Sequence, residues 1–334
     1  MIVVQDLTKQ YGEHVAVDHL SFRVEKGMIY GFLGPNGAGK STTMNMLTGY
    51  LAPTAGQILI DGKDVQKEPE EAKQKVGYLP ELPPLYVDMT VEEYLAFAAE
   101  LKKIPAKQRK EQLEKVMDMV GVTDVRKRLI KNISKGYKQR VGLAQAILGD
   151  PEVLILDEPS VGLDPKQIIE MRELIKKLGQ DHTIILSSHI LSEVSAVCDH
   201  VMIIAHGKLV ASDTPEGLKK RMAGATEIVV SAKGEEEAVQ AVLDSLETVK
   251  EVARLERQEQ EYARFRLHCK EGMDAREELF YAFAKAGIPI MGLAHEEKSL
   301  EDVFLELTEN APQQEKKKRG LFGKKEEQGD AGNL

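Results

Sequence analysis

Cysteine is scarce in this chain, with Cys198 and Cys269 the only two. They lie far apart and offer no metal-ligand spacing. That excludes a zinc module or a disulfide framework and leaves buried free thiols in a reducing compartment. Long hydrophobic runs are missing too, since no apolar stretch nears the ~20 residues a spanning helix needs. The first residues, MIVVQDL, read directly as a strand and lack the charged-then-apolar layout of a signal peptide. A soluble chain is expected, one that would serve a membrane by docking to another chain. Positive charge is also short: 45 Lys and Arg stand against 54 Asp and Glu, a formal net charge of −9. That argues against nucleic acid as the main partner, because such binding draws on clustered Lys and Arg.

What the chain does have is length for two domains, 334 residues, and 42% apolar residues to fill their cores. It also has GPNGAGKST at residues 34–42. Gly34, Gly39, Lys40 and Ser41 fall on the fixed places of G-x-x-x-x-G-K-[ST]. Upstream, residues 28–33 (MIYGFL) read as a buried strand. Downstream, Met44 and Leu47 share a helical face and Gly49 stops the helix. In this setting the backbone of Gly34, Pro35, Asn36, Gly37, Ala38, Gly39, Lys40, Ser41 and Thr42 can curl its N–H groups around a phosphate. The helix start adds its positive end. Lys40 would reach the β- and γ-phosphates, and the Ser41 hydroxyl would be a ligand for Mg²⁺.

Residues 2–7 and 15–24 alternate as half-buried strands joined through Tyr11-Gly12-Glu13. The Tyr11 ring can stack on a purine or pack on its own hairpin, and spacing does not choose between the two. Residues 57–61 form a short strand. Residues 73–79 lead into another, VGYLP, which the prolines at 80, 83 and 84 end. Thr90 with Glu93 makes a capping box. Behind it Val91, Tyr94, Leu95, Ala98 and Leu101 sit at helical spacing, and Leu113, Val116, Met117 and Val120 repeat the pattern. These stripes read as core packing in a helical insert spanning about 88–150. Ser134-Lys135-Gly136 opens a further helix, a second potential anion site.

Residues 153–156 (VLIL) are a fully apolar strand ending in Asp157 and Glu158. Two carboxylates there are costly unless a cation or proton chemistry uses them. In a phosphate-loop protein Asp157 would hold Mg²⁺ through water and Glu158 would act on the attacking water. Residues 183–188 form another buried strand with His189 just past its end. Ligands of open parallel sheets bind beyond the carboxyl ends of strands. His189 can therefore contact a γ-phosphate or be structural.

Together these motifs resemble the ATP-binding subunit of an ABC transporter, over residues 1 to about 220. The resemblance implies a P-loop α/β ATPase domain with a mixed sheet, an antiparallel β-subdomain and a helical insert. It implies ATP stacked on Tyr11 and held by residues 34–42, and a signature segment around Ser134 and Gly136. It implies a metal site from Ser41, Asp157 and Glu81, with Lys40, Glu158 and His189 as catalytic residues. The loop that links two subunits would end in Asp164. Two departures stand out: the usual LSGGQ reads ISKGY, and the usual coupling glutamine is Glu81. With VGYLPELPPLY they look like the gliding-motility and ABC-2 export type. The resemblance further implies a head-to-tail homodimer sandwiching two ATP molecules. It implies a separate transmembrane permease that meets residues 81–95, and peripheral attachment at the cytoplasmic face of the membrane. A soluble ATPase of translation or DNA repair is the alternative. Such relatives usually join two ATPase units, insert a coiled coil or carry zinc cysteines, and this chain shows none of these. A nucleotide-binding regulator without turnover is a third, opposed by Glu158.

The ATPase domain is expected to span 1–222. From residue 225 the order βαββαβ, with a last helix at 299–309, suggests a ferredoxin-like regulatory or dimer-stabilising domain over 225–310. Helix 235–246 would align Ala238, Val242 and Leu246. Residues 311–334 read as a charged tail. They are either solvated and disordered, or lay Lys316–Arg319, Leu321, Phe322, Lys324 and Lys325 on an anionic membrane surface.

Overall fold

The computed structural model describes residues 1–222, 227–255, 262–270 and 273–296. Ile2–Tyr11 (β1) and His14–Val24 (β2) form an antiparallel hairpin. Tyr11 pairs with His14 and so ends the first strand, where the sequence suggested a loop position. Ile29–Leu33 (β3) runs through the phosphate loop into Lys40–Leu47 (α1). Ala55–Ile60 (β4) and Lys63–Asp64 (β5) complete an antiparallel sheet in the order β2-β1-β4-β5. Pro69–Gln74 (α2), a helix the sequence reading overlooked, precedes Val76–Leu79 (β6). Proline at its start and Glu70 and Glu71 in its first turn explain it.

Val91–Leu101 (α3), Ala106–Val120 (α4) and Lys135–Ile147 (α5) form the helical insert. Val153–Asp157 (β7), Pro165–Leu178 (α6), Thr183–Ser188 (β8), Leu191–Ser195 (α7), His200–Ala205 (β9), Lys208–Asp213 (β10) and Pro215–Met222 (α8) follow. The central sheet runs β10-β9-β3-β8-β7-β6, parallel except for the antiparallel edge strand β10.

Both faces of that sheet are covered, which is why its strands are apolar without interruption. The two-residue period sorts their side chains between two cores. Leu154, Leu156, Ile184, Leu186, Val201 and Ile203 pack with the helices on one face. Val153, Ile155, Ile185, Met202 and Ile204 pack with the antiparallel sheet and α1 on the other. The carboxyl ends of β3, β8 and β7 thus lie side by side between two anchored layers.

The capping box forms as expected: Thr90 Oγ1 accepts from Glu93 N at 3.3 Å, and Glu93 Oε2 accepts from Thr90 N at 2.9 Å. The expected stripe on α3 is correct except at Leu101, which is 66% exposed while Ala99 is buried. The buried positions 91, 94, 95, 98 and 99 keep to one helical face, and the last turn leaves it.

Glu227–Ala232 (β11), Glu236–Asp244 (α9), Val249–Arg254 (β12), Ala263–Cys269 (β13), Arg276–Ala286 (α10) and Ile290–Glu296 (β14) pack around an apolar core of their own. Their antiparallel sheet, in the order β12-β13-β11-β14, has the ferredoxin-like arrangement. Of the stripe expected over Ala238, Val242 and Leu246, Ala238 is the exception: it is exposed, while Val242 is half-buried against the core and Leu246 is buried just past the end of α9. Val239 and Leu243 are the buried residues of the helix itself. The expected helix at 299–309 and the tail at 311–334 lie outside the described residues.

Arg126 joins the insert by pairing with Glu92 at 2.5 Å and Glu114 at 3.2 Å. Its hydrogen bond holds the Glu92 carboxyl below the usual value of 4.5, and the backbone and hydroxyl of Thr90 do the same for Glu93. A depressed carboxyl stabilises the fold above its unfolded pKa and loses that effect as pH falls. Unfolding free energy is therefore expected to drop as pH falls below about 4.5. An Arg126→Gln variant should drop less steeply over that range in denaturant titrations. Thr90→Ala should cost about 1 kcal/mol at neutral pH, read as a lower midpoint at unchanged slope.

Candidate active site

The loop after β3 folds tightly, with Ala38 N donating to Pro35 O at 3.1 Å. Gly39 is the residue before α1, at φ 104°, with no side-chain cap on the helix start. A side chain there would stand 2.6 Å from Ala16 O. The glycine therefore serves both the left-handed backbone and the close approach of β2. Backbone N–H groups of the first turn are left free of side-chain caps, the arrangement that binds anions.

Lys40 is buried, and its Nζ donates to Gly34 O at 2.7 Å and Pro35 O at 3.3 Å. The same ammonium lies 3.6 Å from Glu158 Oε1. On the far side, His189 Nδ1 is 3.0 Å from Glu158 Oε2. Glu158 itself sits at φ 48°, a strained conformation costing about 1–3 kcal/mol that the surroundings must impose. Ser41 Oγ donates to Asp157 Oδ1 at 3.4 Å. Burial and then the nearby Asp157 charge push the Tyr78 phenol well above its usual value.

Lys40, Ser41, Glu158 and His189 border a cavity of about 430 Å³, and Asp157 reaches it through its hydrogen bond with Ser41. Tyr11, Asn36, Gly37, Gly39, Lys40, Ser41, Thr42, Glu81, Glu158 and His189 all line it, joined by His14, Ala16 and Val161. Tyr11 is half exposed there, with Lys9 Nζ 5.2 Å from its ring centre. Three of the sequence candidates are elsewhere. Gly136 and Asp164 line a second hollow of about 320 Å³ with Tyr137 and Arg140. Ser134 is the N-cap of α5, accepting from Tyr137 N at 3.4 Å. Asp164 caps α6, accepting from Gln167 N at 2.9 Å. One chain therefore presents two separate surfaces, the phosphate-loop cavity and a face built on two helix starts.

The Ser41 hydroxyl and the Asp157 carboxylate are oxygen donors of the kind Mg²⁺ takes, and they lie together at the edge of the cavity. With Asp157 acting through water, such an ion would take its other ligands from phosphate and water.

Sequence reasoning missed Ser187. It is fully buried, pairs in register with Asp157 across β7 and β8, donates to Asp157 Oδ1 at 2.5 Å and accepts from Glu158 N at 3.0 Å. Two serines ending an otherwise apolar buried strand were the available signal. Ser160 was missed as well. Its hydroxyl donates to Glu193, a buried carboxylate on α7.

A family model described as "ABC transporter" matches residues 17–161. The bacitracin transport ATP-binding protein BcrA of Bacillus licheniformis is 46% identical over 223 residues, 66% of this chain and 72% of that protein. The linearmycin resistance ATP-binding protein LnrL of Bacillus subtilis is 36% identical over 253 residues, 75% of this chain and 81% of its own. Among solved structures, an ATP-binding subunit of an ABC transporter superposes with TM-score 0.61 at 31% identity, covering 66% of this chain and 92% of that one. A dimeric bacterial ABC transporter cassette gives 0.59 at 22% identity, covering 64% and 98%, and speaks to the fold alone.

Gly37→Ala should cost about 1–2 kcal/mol, from its left-handed backbone alone, because open space surrounds it. Gly39→Ala should cost more, because it adds the approach to Ala16 O. Thermal unfolding of the two variants checks the ranking.

Proposed function

The chain belongs to the ABC transporter family, among its ATP-binding subunits, and from that membership we propose how this copy works. It hydrolyses ATP at a head-to-tail dimer interface and drives export through a separate transmembrane partner. The observation carrying this reading is the convergence of Lys40, Asp157, Glu158 and His189 at the ends of three adjacent parallel strands.

Phosphate oxygens would take the N–H groups of the loop and compete with Gly34 O, Pro35 O and Glu158 for the Lys40 ammonium. Tyr11, half exposed at the rim, is placed to stack on the base. Ser41 and Asp157 would hold Mg²⁺, with Glu81 lining the same cavity. When bound, that ion neutralises developing charge on the transferred phosphoryl group. Glu158 is placed to accept a proton from the attacking water. His189 would hold the orientation of that carboxylate through Nδ1, and its ring lines the cavity where the γ-phosphate would sit.

Ser134, Gly136 and Asp164 lie away from this cavity within one chain, which supports their meeting a partner copy's nucleotide. Among the described residues no helix is long and apolar enough to cross a membrane. We assign the translocation path to a second chain, a reading supported by relatives named as ATP-binding proteins of transport and resistance. Docking on that chain would hold the subunit at the cytoplasmic face. Leu82, Tyr86 and Val87, exposed beside the cavity's Glu81, supply the contact. Relatives named for bacitracin transport and linearmycin resistance support outward traffic. We assign residues 225–310 to a regulatory or dimer-stabilising role.

Glu158→Gln should retain ATP with Mg²⁺ and lose about 10²–10⁴-fold in turnover. It should also accumulate an ATP-dependent dimer, measured by light scattering. Lys40→Ala should lose nucleotide uptake itself. Normal turnover by Glu158→Gln would remove Glu158 from the role of base, and a parent chain that binds ATP with Mg²⁺ without turning it over would instead be a nucleotide-binding regulator.

A further inference from the structure

Ser187 is a hydroxyl with a forced orientation. The Glu158 backbone N–H can only donate, and it donates to Ser187 Oγ at 3.0 Å. The single hydroxyl hydrogen is then left for Asp157 Oδ1, at 2.5 Å. Ser41 Oγ gives a second hydrogen bond to the same oxygen. One chain of bonds therefore runs from the Glu158 backbone through the buried Ser187 to the Asp157 carboxylate and the Ser41 hydroxyl. Ser187 itself is not among the residues that line the cavity, and only the Ser41 end of the chain reaches it.

We propose that Ser187 is a positioning residue for the metal–nucleotide complex, fixing Asp157 beside Ser41 and bracing the strained backbone of Glu158. This rests on the reading of the cavity as a Mg²⁺–ATP site. The position is fixed by the parallel register that sets Asp157 opposite Ser187. It is dry, because Ser187 is completely buried and packed between two apolar layers. In such surroundings a hydrogen bond to a carboxylate is strong, and a carboxylate robbed of it turns elsewhere. Loss of the hydroxyl frees Asp157 to rotate away from Ser41. It also removes the acceptor that stabilises the Glu158 peptide at φ 48°.

The phosphate loop, by contrast, makes no contact with Ser187 in this chain of bonds. Metal-free nucleotide binding should therefore be spared. The positioning role and a merely structural role separate at that point. A structural defect weakens nucleotide binding with and without metal, whereas mispositioning of Asp157 appears only when metal is present.

The test is equilibrium binding of a fluorescent ATP analogue to the full chain, in EDTA and across a MgCl₂ titration. Ser187→Ala should bind within about two-fold of the parent in EDTA. It should need about 5–30-fold more Mg²⁺ for half of the metal-dependent gain in affinity. Ser187→Thr, which keeps the hydroxyl, should restore the parent's Mg²⁺ requirement and remains informative if the alanine variant folds poorly. An unchanged Mg²⁺ requirement in folded Ser187→Ala overturns the proposal, as does an equal loss in EDTA and in Mg²⁺. A Mg²⁺ requirement in Ser187→Thr as high as that of Ser187→Ala overturns it too. A parent chain that binds no ATP with Mg²⁺ removes the underlying reading of the cavity and is told apart by that control.

Discussion

The structure depends on two carboxylates being tolerated at the end of a buried strand. Asp157 and Glu158 follow four apolar residues, and both are almost fully enclosed. Enclosed carboxylates cost several kcal/mol unless neighbours compensate. Here the compensation comes from every adjoining element: Lys40 from the loop after β3, Ser41 from α1, Ser187 from β8 and His189 just beyond it. The parallel order of three strands is what delivers those groups to one place.

Packing makes that delivery rigid. The sheet is held between an antiparallel sheet with α1 on one side and a helical layer on the other, each with its own apolar core. Alternating side chains of the same strand serve both layers. A shift of one residue in register would turn each set toward the wrong layer, so the strand ends are fixed to within a residue.

Much of this was legible in the sequence. The phosphate loop, the VLILDE strand and the TIILSSH strand each carry a local signal. The parallel-sheet rule then brings their ends together. The capping box at Thr90 is a purely local pattern and formed as read. What escaped were cross-strand and end-of-element facts. Ser187 and Ser160 look like ordinary small polar residues until register gives them partners. The helix α2 is six residues long, too short for periodicity to reveal. On α9 Ala238 is exposed and the neighbouring Val239 is buried instead, a difference of one position that only the packing partner decides. The two surfaces lined by Lys40 and by Gly136 also needed coordinates, since linear order says nothing about which motifs are neighbours within one chain.

The Ser160–Glu193 bond joins the stretch running from Glu158 to Asp164 with the short helix that follows His189. Glu193 is buried, so its carboxylate cannot exchange that hydroxyl for water without opening the packing around α7. The bond therefore ties the two stretches mechanically, so that displacing one works against the packing of the other.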